Sequence, residues 1–394
     1  MDNDVLILGA GPAGAALALL LSETGYSVEI LDAAFFPRTR ICGEFLNPQA
    51  VQWLKEHHLL SSVEAKQPFR IDGMKIAGFE GRSFAGRYRN GYGYAIKRQD
   101  FDTLLVTRMR QTGIKVNLGF RAERLLMNGD RAIGVKGIDS EGVKFEKTAR
   151  IIVGADGRNN LIGRTFGWMK AIRKLRKYAF MTYFENVRDL EHLGEIHLIE
   201  KGYVGVAPLT ETLANVAVVI DEKDCPSGVA DLSEFFLNKL KGTSVCRRIN
   251  DPLVPVSTTG PLAFVSEQTS GNGTILTGDT CGFLDPFTGE GINYALVSAS
   301  IAAEVLDGCF RASDFSDAAL AEYDRKRRQA LGKKFRIAGL LQKAVQSPGL
   351  SQLLINRFSR TQELADTMVS VVGSSIPVDE VWNLRFLLKL AFAR

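Results

Sequence analysis

The sequence predicts an α/β protein, α+β overall, with a Rossmann-like nucleotide-binding domain, a domain on a mixed or antiparallel sheet, and a C-terminal helical region. Three observations predict this class. A strand, a glycine-rich turn, a helix and a second strand follow one another at the N-terminus. Two later apolar runs end in Asp-Gly and Gly-Asp turns, and alternating apolar runs lie between those turns, as strands of a second sheet would.

Length and composition set the limits. The 394 residues, 45% hydrophobic and 24% charged, are ordinary for a soluble globular protein of two or three subdomains and exclude a disordered or collagen-like chain. The net charge of +5 gives no reason to expect a nucleic-acid partner. The five cysteines form no C-x-x-C pair, the N-terminus lacks a basic signal region, and apolar stretches are short. We therefore expect a cytoplasmic setting.

The first glycine cluster predicts a dinucleotide site. Residues 5–8 form an apolar strand, and Gly9, Gly11 and Gly14 follow in the spacing G-x-G-x-x-G before a helix rich in Ala and Leu. The first glycine makes the tight turn, the second lets the backbone approach a pyrophosphate, and the third permits close helix–strand packing. The helix N-terminus attracts phosphate, and Asp32 ends the second strand where it can accept hydrogen bonds from a ribose.

Two further motifs lie downstream. Residues 149–159 contain a buried strand that runs into an Asp156-Gly157 turn, and residues 273–280 contain another that ends in Gly278-Asp279. Asp279 at a strand end can hold ribityl or ribose hydroxyls. The turn at residues 289–293 precedes a helical run and presents backbone N–H groups that suit an electron-rich carbonyl.

With these three motifs in order, the sequence resembles the FAD-dependent oxidoreductases of the p-hydroxybenzoate hydroxylase superfamily over roughly residues 1–330. The resemblance implies that the first motif holds the ADP part of FAD. It also implies that the Asp156-Gly157 motif serves FAD and, transiently, NAD(P)H. By the same resemblance, the Gly278-Asp279 motif holds the ribityl chain and flavin, and Arg98 lies against the phosphates or a ribose.

Residues 38–48 are similar to the geranylgeranyl-reductase-like and halogenase-like branch, whose members often carry a Cys-Gly pair here, near the flavin. Cys42 either contacts the flavin edge or is a small buried loop cysteine, and no nucleophilic role is assigned to it. The W-x-W-x-I-P signature of halogenases is absent. The Y-x-W-x-F-P element of geranylgeranyl reductases corresponds to residues 203–208, which keep Tyr203 and Pro208 but lack the tryptophan.

The candidate site residues follow from these motifs and from sheet position. The expected FAD contacts are Gly9, Gly11, Pro12, Ala13, Gly14, Asp32, Arg40, Cys42, Gly43, Arg98, Asp156, Gly157, Gly278, Asp279, Pro286, Gly289, Glu290, Gly291, Ile292 and Asn293. The expected substrate-lining residues are Phe180, Tyr183, Tyr203 and Phe287. Catalysis is centred on the flavin, with Cys42, Gly43 and Pro286 as contributors, and the histidine spacing indicates no metal site.

The motif positions predict a discontinuous FAD-binding domain, residues 1–70, 96–170 and 262–330, with a substrate domain at 71–95 and 171–261 and a helical region at 331–394. Two basic runs, 164–177 and 325–336, are interpreted as solvated helix faces, with contact to a polyanion or NADPH phosphate as the alternative. The C-terminal residues 381–394 mix apolar and basic side chains. They either dock on the protein core, which we favour, or make peripheral contact with a membrane surface.

Three functions remain open. The leading hypothesis is an NAD(P)H-dependent FAD monooxygenase that uses dioxygen to hydroxylate a hydrophobic aromatic or phenolic metabolite. The alternative is a reductase, like geranylgeranyl reductases, that saturates a double bond in an isoprenoid or similar lipid. The third is a non-catalytic flavin-binding protein.

Overall fold

A computed structural model describes residues 1–79, 81–225 and 231–392. The strands are β1 (Asn3–Leu8), β2 (Val28–Asp32), β3 (Phe45–Leu46), β4 (Phe69–Ile71), β5 (Gly73–Ala77), β6 (Ser83–Arg87), β7 (Gly93–Ala95), β8 (Lys115–Leu118), β9 (Arg121–Asn128), β10 (Arg131–Ile138), β11 (Lys144–Gly154), β12 (Met169–Ala171), β13 (Lys177–Phe184), β14 (Leu193–Ile199), β15 (Gly202–Pro208), β16 (Ala214–Asp221), β17 (Ser257–Thr259), β18 (Phe264–Ser266), β19 (Ser270–Gly271), β20 (Thr274–Leu276) and β21 (Gly282–Phe283). The helices are α1 (Pro12–Ser22), α2 (Pro48–Glu56), α3 (Leu60–Glu64), α4 (Arg98–Gln111), α5 (Leu161–Thr165), α6 (Leu232–Leu240), α7 (Gly291–Ala312), α8 (Asp317–Val345), α9 (Pro348–Phe358), α10 (Gln362–Val372) and α11 (Leu384–Phe392).

A mostly parallel sheet organises the nucleotide-binding part, with antiparallel pairing of β19 with β20 and of β10 with β11. Its strand order is β19-β20-β11-β1-β2-β8, and the β9–β10 hairpin extends it from β11. The carboxyl ends of β1 and β11 lie side by side, with Leu8 opposite Gly154. This register brings the turn after each strand to one edge of the sheet, where ligands bind in open α/β sheets. Because α1 is almost entirely apolar, it is buried between this sheet and α7.

A mixed sheet forms the second layer. Its order is β17-β13-β16-β15-β14-β5-β6, antiparallel except for the parallel pair β14–β5. One face packs on α6 through Phe180, Val218 and Phe236. The other face carries small side chains, including Ala179 and Ala217, and borders the main cavity. The predicted α/β class with a mixed second sheet is therefore confirmed.

The sheets draw their strands from the expected parts of the chain. The β1, β2, β8, β11 and β20 strands lie within residues 1–70, 96–170 and 262–330, and the mixed sheet uses residues 73–87 and 177–259. The exact domain boundaries stay a prediction.

The C-terminal helices cover both cavity and sheet. The long helix α8 is capped by Ser316, whose side chain accepts a hydrogen bond from the Ala319 N–H, and it runs along the cavity. Helix α10 lies along the outer strand β6. There the Asp366 carboxylate accepts from the Arg87 backbone N–H at 2.8 Å, and the Gln362 amide donates to the Ala85 carbonyl at 2.9 Å.

The interpretation of the two basic runs was partly wrong. Within residues 164–177 only the first two belong to an α-helix, α5, residues 173–175 form one 3-10 turn, and Lys177 is buried at 2% exposure in strand β13. The second run does lie on a helix, α8, and Arg325 and Arg328 are exposed there. Arg327 on the same helix lines the cavity instead.

Candidate flavin site

A large cavity lies where the two sheets and α8 meet. Its volume is about 1040 Å³, and it reaches from the turn after β1 to the small-residue face of the mixed sheet. The predicted residues that line it are Gly9, Gly11, Pro12, Ala13, Asp32, Arg40, Cys42, Gly43, Arg98, Asp156, Gly157, Tyr203, Gly278, Asp279, Pro286, Phe287, Gly289, Gly291 and Ile292.

The three glycines of the first motif have different structural roles. Gly9 has φ +107, and a Cβ there would lie 2.4 Å from the Ala155 carbonyl oxygen. A Cβ on Gly14 would lie 1.9 Å from the Gly9 oxygen. On Gly11, by contrast, the nearest atom would be Nη2 of Arg38 at 3.7 Å. Packing alone therefore requires the first and third glycines, while the second borders open space in the cavity.

Asp32 ends β2 as predicted and organises the neighbouring loop. Its carboxylate accepts from the backbone N–H groups of Ala10 at 2.8 Å and Ala34 at 2.9 Å, and the Arg38 guanidinium donates to both of its oxygens. Arg38 keeps a buried Nε that has no partner among the described residues. Arg98 donates through Nε and Nη2 to the buried Asp102 carboxylate, which fixes its guanidinium beside the cavity.

Two carboxyl groups that line the cavity could each accept a hydrogen bond from a ligand. Burial raises the pKa of Asp156 to about 6 and the pKa of Asp279 to about 6. Asp156 Oδ2 accepts from the Leu161 backbone N–H at 2.9 Å, but Oδ1 is buried without a partner among the described residues. A buried carboxylate oxygen without a donor is costly, and a hydroxyl group of a ligand would satisfy it. Both groups line the cavity, so they suit the ribose and ribityl hydroxyls of FAD.

The loop after β2 brings an unforeseen carboxylate to the cavity. Glu44, at φ +56, is buried and accepts from the Arg98 backbone N–H at 2.9 Å, Tyr183 Oη at 2.8 Å and Asn215 Nδ2 at 3.0 Å. Burial raises its pKa, while these donors act in the opposite direction. Burial also raises the pKa of the Cys42 thiol, so that thiol stays protonated at neutral pH.

A second buried cluster flanks the turn at residues 286–288. Lys177 Nζ lies 2.6 Å from Asp285 Oδ2, and Tyr203 Oη donates to Asp285 Oδ1 at 2.6 Å. Gln342 of α8 donates to the same carboxylate at 3.1 Å, and the Phe287 backbone N–H donates at 2.8 Å. Burial raises the pKa of Tyr203 well above its usual value, so its hydroxyl is a hydrogen-bond donor. The cluster fixes the position of the turn that follows Asp285.

Three residues predicted to contact FAD do not line the cavity. Gly14 packs against Gly9, as described above. The Glu290 carboxylate accepts from Tyr294 and Ser374 and lies 3.7 Å from Lys334 Nζ. Asn293 donates through Nδ2 to Gln49 at 3.0 Å. Glu290 and Asn293 therefore contact residues outside the cavity lining and support the turn that precedes α7.

Two of the four residues predicted on the substrate side line the cavity, and their contact with a substrate stays a prediction. Tyr203 and Phe287 line the cavity and contact each other edge to face, with ring centroids 5.1 Å apart. Phe180 lies on the opposite face of β13, packed against Phe235 with centroids 5.2 Å apart, because successive strand residues point to opposite faces. Tyr183 shares the cavity-facing side of β13, but its hydroxyl is directed to Glu44.

The cavity has the donors, acceptors and shape that FAD requires. An open approach at Gly11 and the N-terminus of α1 suit a pyrophosphate, and Asp156 and Asp279 suit hydroxyl groups. The N-terminus of α7, which begins at Gly291, borders the cavity, and its backbone N–H groups would suit an electron-rich flavin carbonyl.

Comparison with known proteins supports the assignment of this cavity to FAD. The sequence matches the profile of a family described as FAD binding domain over residues 2–336. It is 29% identical to digeranylgeranylglycerophospholipid reductase 1 of Methanopyrus kandleri, over 97% of this chain and 100% of that protein. It is 28% identical to menaquinone reductase of Mycobacterium tuberculosis, over 77% of this chain and 76% of that protein.

The fold is likewise similar to that of a geranylgeranyl bacteriochlorophyll reductase-like protein from Thermoplasma acidophilum. The TM-score is 0.78 at 20% identity, and the match covers 99% of this chain and 96% of that one. The chain belongs to the FAD binding domain family and is an FAD-dependent oxidoreductase.

Proposed function

We propose that this protein uses FAD and NAD(P)H to reduce a carbon–carbon double bond in an isoprenoid lipid. The observation that carries the proposal is the match, over nearly the whole chain, to a reductase named for a digeranylgeranyl lipid. This supports the alternative reached from the sequence better than the leading hypothesis of a monooxygenase.

The cavity beyond the flavin turn supports an elongated apolar substrate. The mixed sheet presents Ala179, Gly205, Ala207 and Ala217 to it, and small side chains leave room for a chain to lie along the sheet. The apolar members of the surrounding wall are Ile71, Met74, Ile196, Val219, Leu262 and Phe283. Such a surface binds hydrocarbon by removing it from water.

Bound FAD would supply the hydride chemistry, and the chain's own residues would position the two reactants. Gly11 and the N-terminus of α1 hold the cofactor's phosphates, and Asp156 and Asp279 accept from its hydroxyls. The Lys177–Asp285–Tyr203 cluster fixes the turn between cofactor and substrate. The apolar wall excludes water from that contact.

Product mass tests the proposal. The purified holoenzyme is incubated with NADPH, heavy-isotope dioxygen and a geranylgeranyl glycerophospholipid, with boiled enzyme as the control. We expect a product that has gained two hydrogens per reduced double bond and no heavy oxygen. A product that carries one heavy oxygen atom would establish the monooxygenase instead.

We also propose that the C-terminal helix α11 rests on a membrane surface, where such a substrate resides. Phe386 of α11 is buried in the core, but the other side of the helix is apolar too. Its exposed side chains are Leu384 at 71%, Leu387 at 45%, Leu388 at 47% and Phe392 at 74%. Their spacing forms one stripe along the helix.

Charge supports a lipid occupant for this stripe. Helix α11 contains Arg385 and Lys389 and has no acidic residue, and Lys389 Nζ pairs with Glu363 of α10 at 2.6 Å, so Arg385 carries the net positive charge. Neighbouring α9 contributes the exposed Leu350 and Leu353, and the Arg357 guanidinium one turn later donates to the Ala391 carbonyl of α11 at 2.8 Å. An apolar stripe with basic residues is typical of helices that lie in the headgroup region of anionic bilayers. Within the described ranges, no helix combines the length and hydropathy needed to cross a membrane.

A further inference from the structure

The cavity wall contains a guanidinium that has no acceptor. Arg327 of α8 lines the cavity, and its Nε is buried without a hydrogen-bond partner among the described residues. Its guanidinium carbon lies 5.7 Å from the ring centroid of Phe335. The nearby carboxylate of Asp324 is already occupied, because Oδ1 accepts from Thr269 and Oδ2 from Ser270. Because these donors are neutral, the charge of Asp324 still acts on Arg327, but Nε of Arg327 has no acceptor among the described residues, and a ligand in the cavity would supply one.

Arg327 stands at one end of an apolar track. Leu331, Phe335 and Ala338 follow it at intervals of four, four and three residues, so the four side chains share one face of α8, and all line the cavity. At 1.5 Å per residue, this face spans about 16 Å. One turn beyond Ala338, Gln342 donates to Asp285, which precedes the flavin turn. The track thus leads from a cation to the site of the proposed reaction.

We propose that Arg327 binds the anionic head group, a phosphate, of an amphiphilic substrate whose apolar chain lies along Leu331 and Phe335 toward the flavin turn. This inference rests on the proposed function and narrows its substrate class. The planar guanidinium suits a phosphate because it can donate two parallel hydrogen bonds. A prenyl lipid that carries phosphate would give the half-buried guanidinium a charged acceptor for two hydrogen bonds, whereas a neutral quinone would offer it only an uncharged carbonyl oxygen.

Binding of a saturated ligand tests the inference separately from catalysis, since such a ligand has no double bond to reduce. The FAD-loaded enzyme is titrated with tetradecyl phosphate and with tetradecanol, and the flavin absorbance and the heat of binding are recorded. We expect the wild-type protein to bind the phosphate at least tenfold more tightly than the alcohol. In Arg327→Gln, affinity for the phosphate should fall by about 10- to 100-fold, since hydrogen bonds to charged groups contribute about 1.5–3 kcal/mol. Affinity for the alcohol should be unchanged.

Two further variants control for fold and charge. Arg328→Gln removes the exposed neighbouring arginine, whose Nε donates to the Asp324 backbone carbonyl, and should leave both affinities unchanged. Arg327→Lys keeps the charge but loses the paired donors, so its affinity for the phosphate should be intermediate. Flavin content and circular dichroism are compared across all variants.

Three outcomes would overturn the inference. The first is equal wild-type affinity for phosphate and alcohol, and the second is unchanged phosphate affinity in Arg327→Gln. The third is an Arg327→Gln variant that needs more NADPH, but not more NADH, for flavin reduction while it binds tetradecyl phosphate normally, which would assign the guanidinium to the nicotinamide cofactor. Failure of the reductase assay alone leaves these binding results in force, so the two proposals are tested separately.

Discussion

Lys177 Nζ lies 2.6 Å from Asp285 Oδ2, although the two residues are 108 positions apart. Lys177 begins β13 in the mixed sheet, and Asp285 precedes the turn that borders the proposed flavin position. Both side chains are buried, at 2% and 6% exposure. The ion pair therefore joins the substrate sheet to the flavin turn.

Removal of one partner should destabilise the fold. We expect Lys177→Met to lower the free energy of unfolding by about 3–5 kcal/mol, because it leaves the Asp285 charge buried and unpaired. Urea denaturation of the apoprotein measures this. Lys201→Met is the matched control: Lys201 is 56% exposed and pairs with Asp224 at 2.8 Å, so its loss should cost less than about 1 kcal/mol. Equal effects of the two substitutions would contradict a structural role for the buried pair.

The first glycine motif predicts two different failures. Gly11 has φ −72 and ψ −177, which valine accepts, so Gly11→Val should fold but lose FAD, because its side chain enters the pyrophosphate position. Gly14→Val should fail to fold, because its Cβ would overlap the Gly9 carbonyl. Flavin absorbance and circular dichroism distinguish the two cases. Gly332→Ala, with no atom within 4 Å of the added carbon, should change neither, and a yellow, fully loaded Gly11→Val protein would refute the assignment.

Asp279 should stabilise the holoprotein and destabilise the apoprotein. Its pKa is about 6 in the fold and 3.8 as the reference value, so the unfolded chain ionises first as the pH rises. The stability that the protonated group allows is complete below pH 3.8 and is lost as the pH rises through about 6. At pH 8 we expect apo Asp279→Asn to exceed wild type by up to about 3 kcal/mol, with the difference vanishing near pH 3.5.

Urea denaturation of the apoproteins at several pH values tests this, and flavin titration should show weaker FAD binding by the variant. Asp130→Asn, in an exposed turn, is the control and should show neither effect. An Asp279→Asn protein that binds FAD as wild type does would remove this residue from the cofactor site.

The exposed stripe of α11 predicts membrane binding. The wild-type protein should float with vesicles that contain phosphatidylserine, and added salt should weaken this, because Arg385 contributes through charge, whereas Lys389 is paired with Glu363. The double variant Leu387→Glu/Leu388→Glu should stay in solution with its flavin retained. Val143→Glu, at an equally exposed apolar residue elsewhere, should still float. A wild-type protein that ignores anionic vesicles would disprove the membrane proposal.

The local parts of the fold could be predicted from the sequence. The glycine spacing around Gly9–Gly14 and the turns at Asp156 and Asp279 reflect backbone geometry that a short segment specifies by itself. The strands of the mixed sheet were likewise visible as alternating runs. The sequence did not show which face of a strand meets the cavity, because alternation establishes only that Phe180 and Tyr183 point to opposite faces.

Contacts between distant segments could not be predicted from the sequence either. Lys177 seemed part of a solvated basic run because nothing near it in sequence shows that Asp285 packs against it. Arg327 and Arg328 are adjacent and chemically identical, and only the packing of α8 turns one into the cavity and the other to solvent. Glu44 gave no signal beyond its place after Cys42-Gly43. The reaction type depends on such wall residues, which explains why the sequence left reduction and hydroxylation open.

The position of α10 along β6 protects the outer strand of the mixed sheet from pairing with another molecule. An outer strand offers unpaired N–H and C=O groups to any other strand, and this is a route to aggregation. Here side chains of Asp366 and Gln362 occupy those groups, and a Cβ on Gly86 would lie 2.5 Å from the Ala365 carbonyl, so no further strand can approach. A chain cut at residue 336, where the family match ends, would lack α10. The edge of β6 would then be exposed and prone to aggregation.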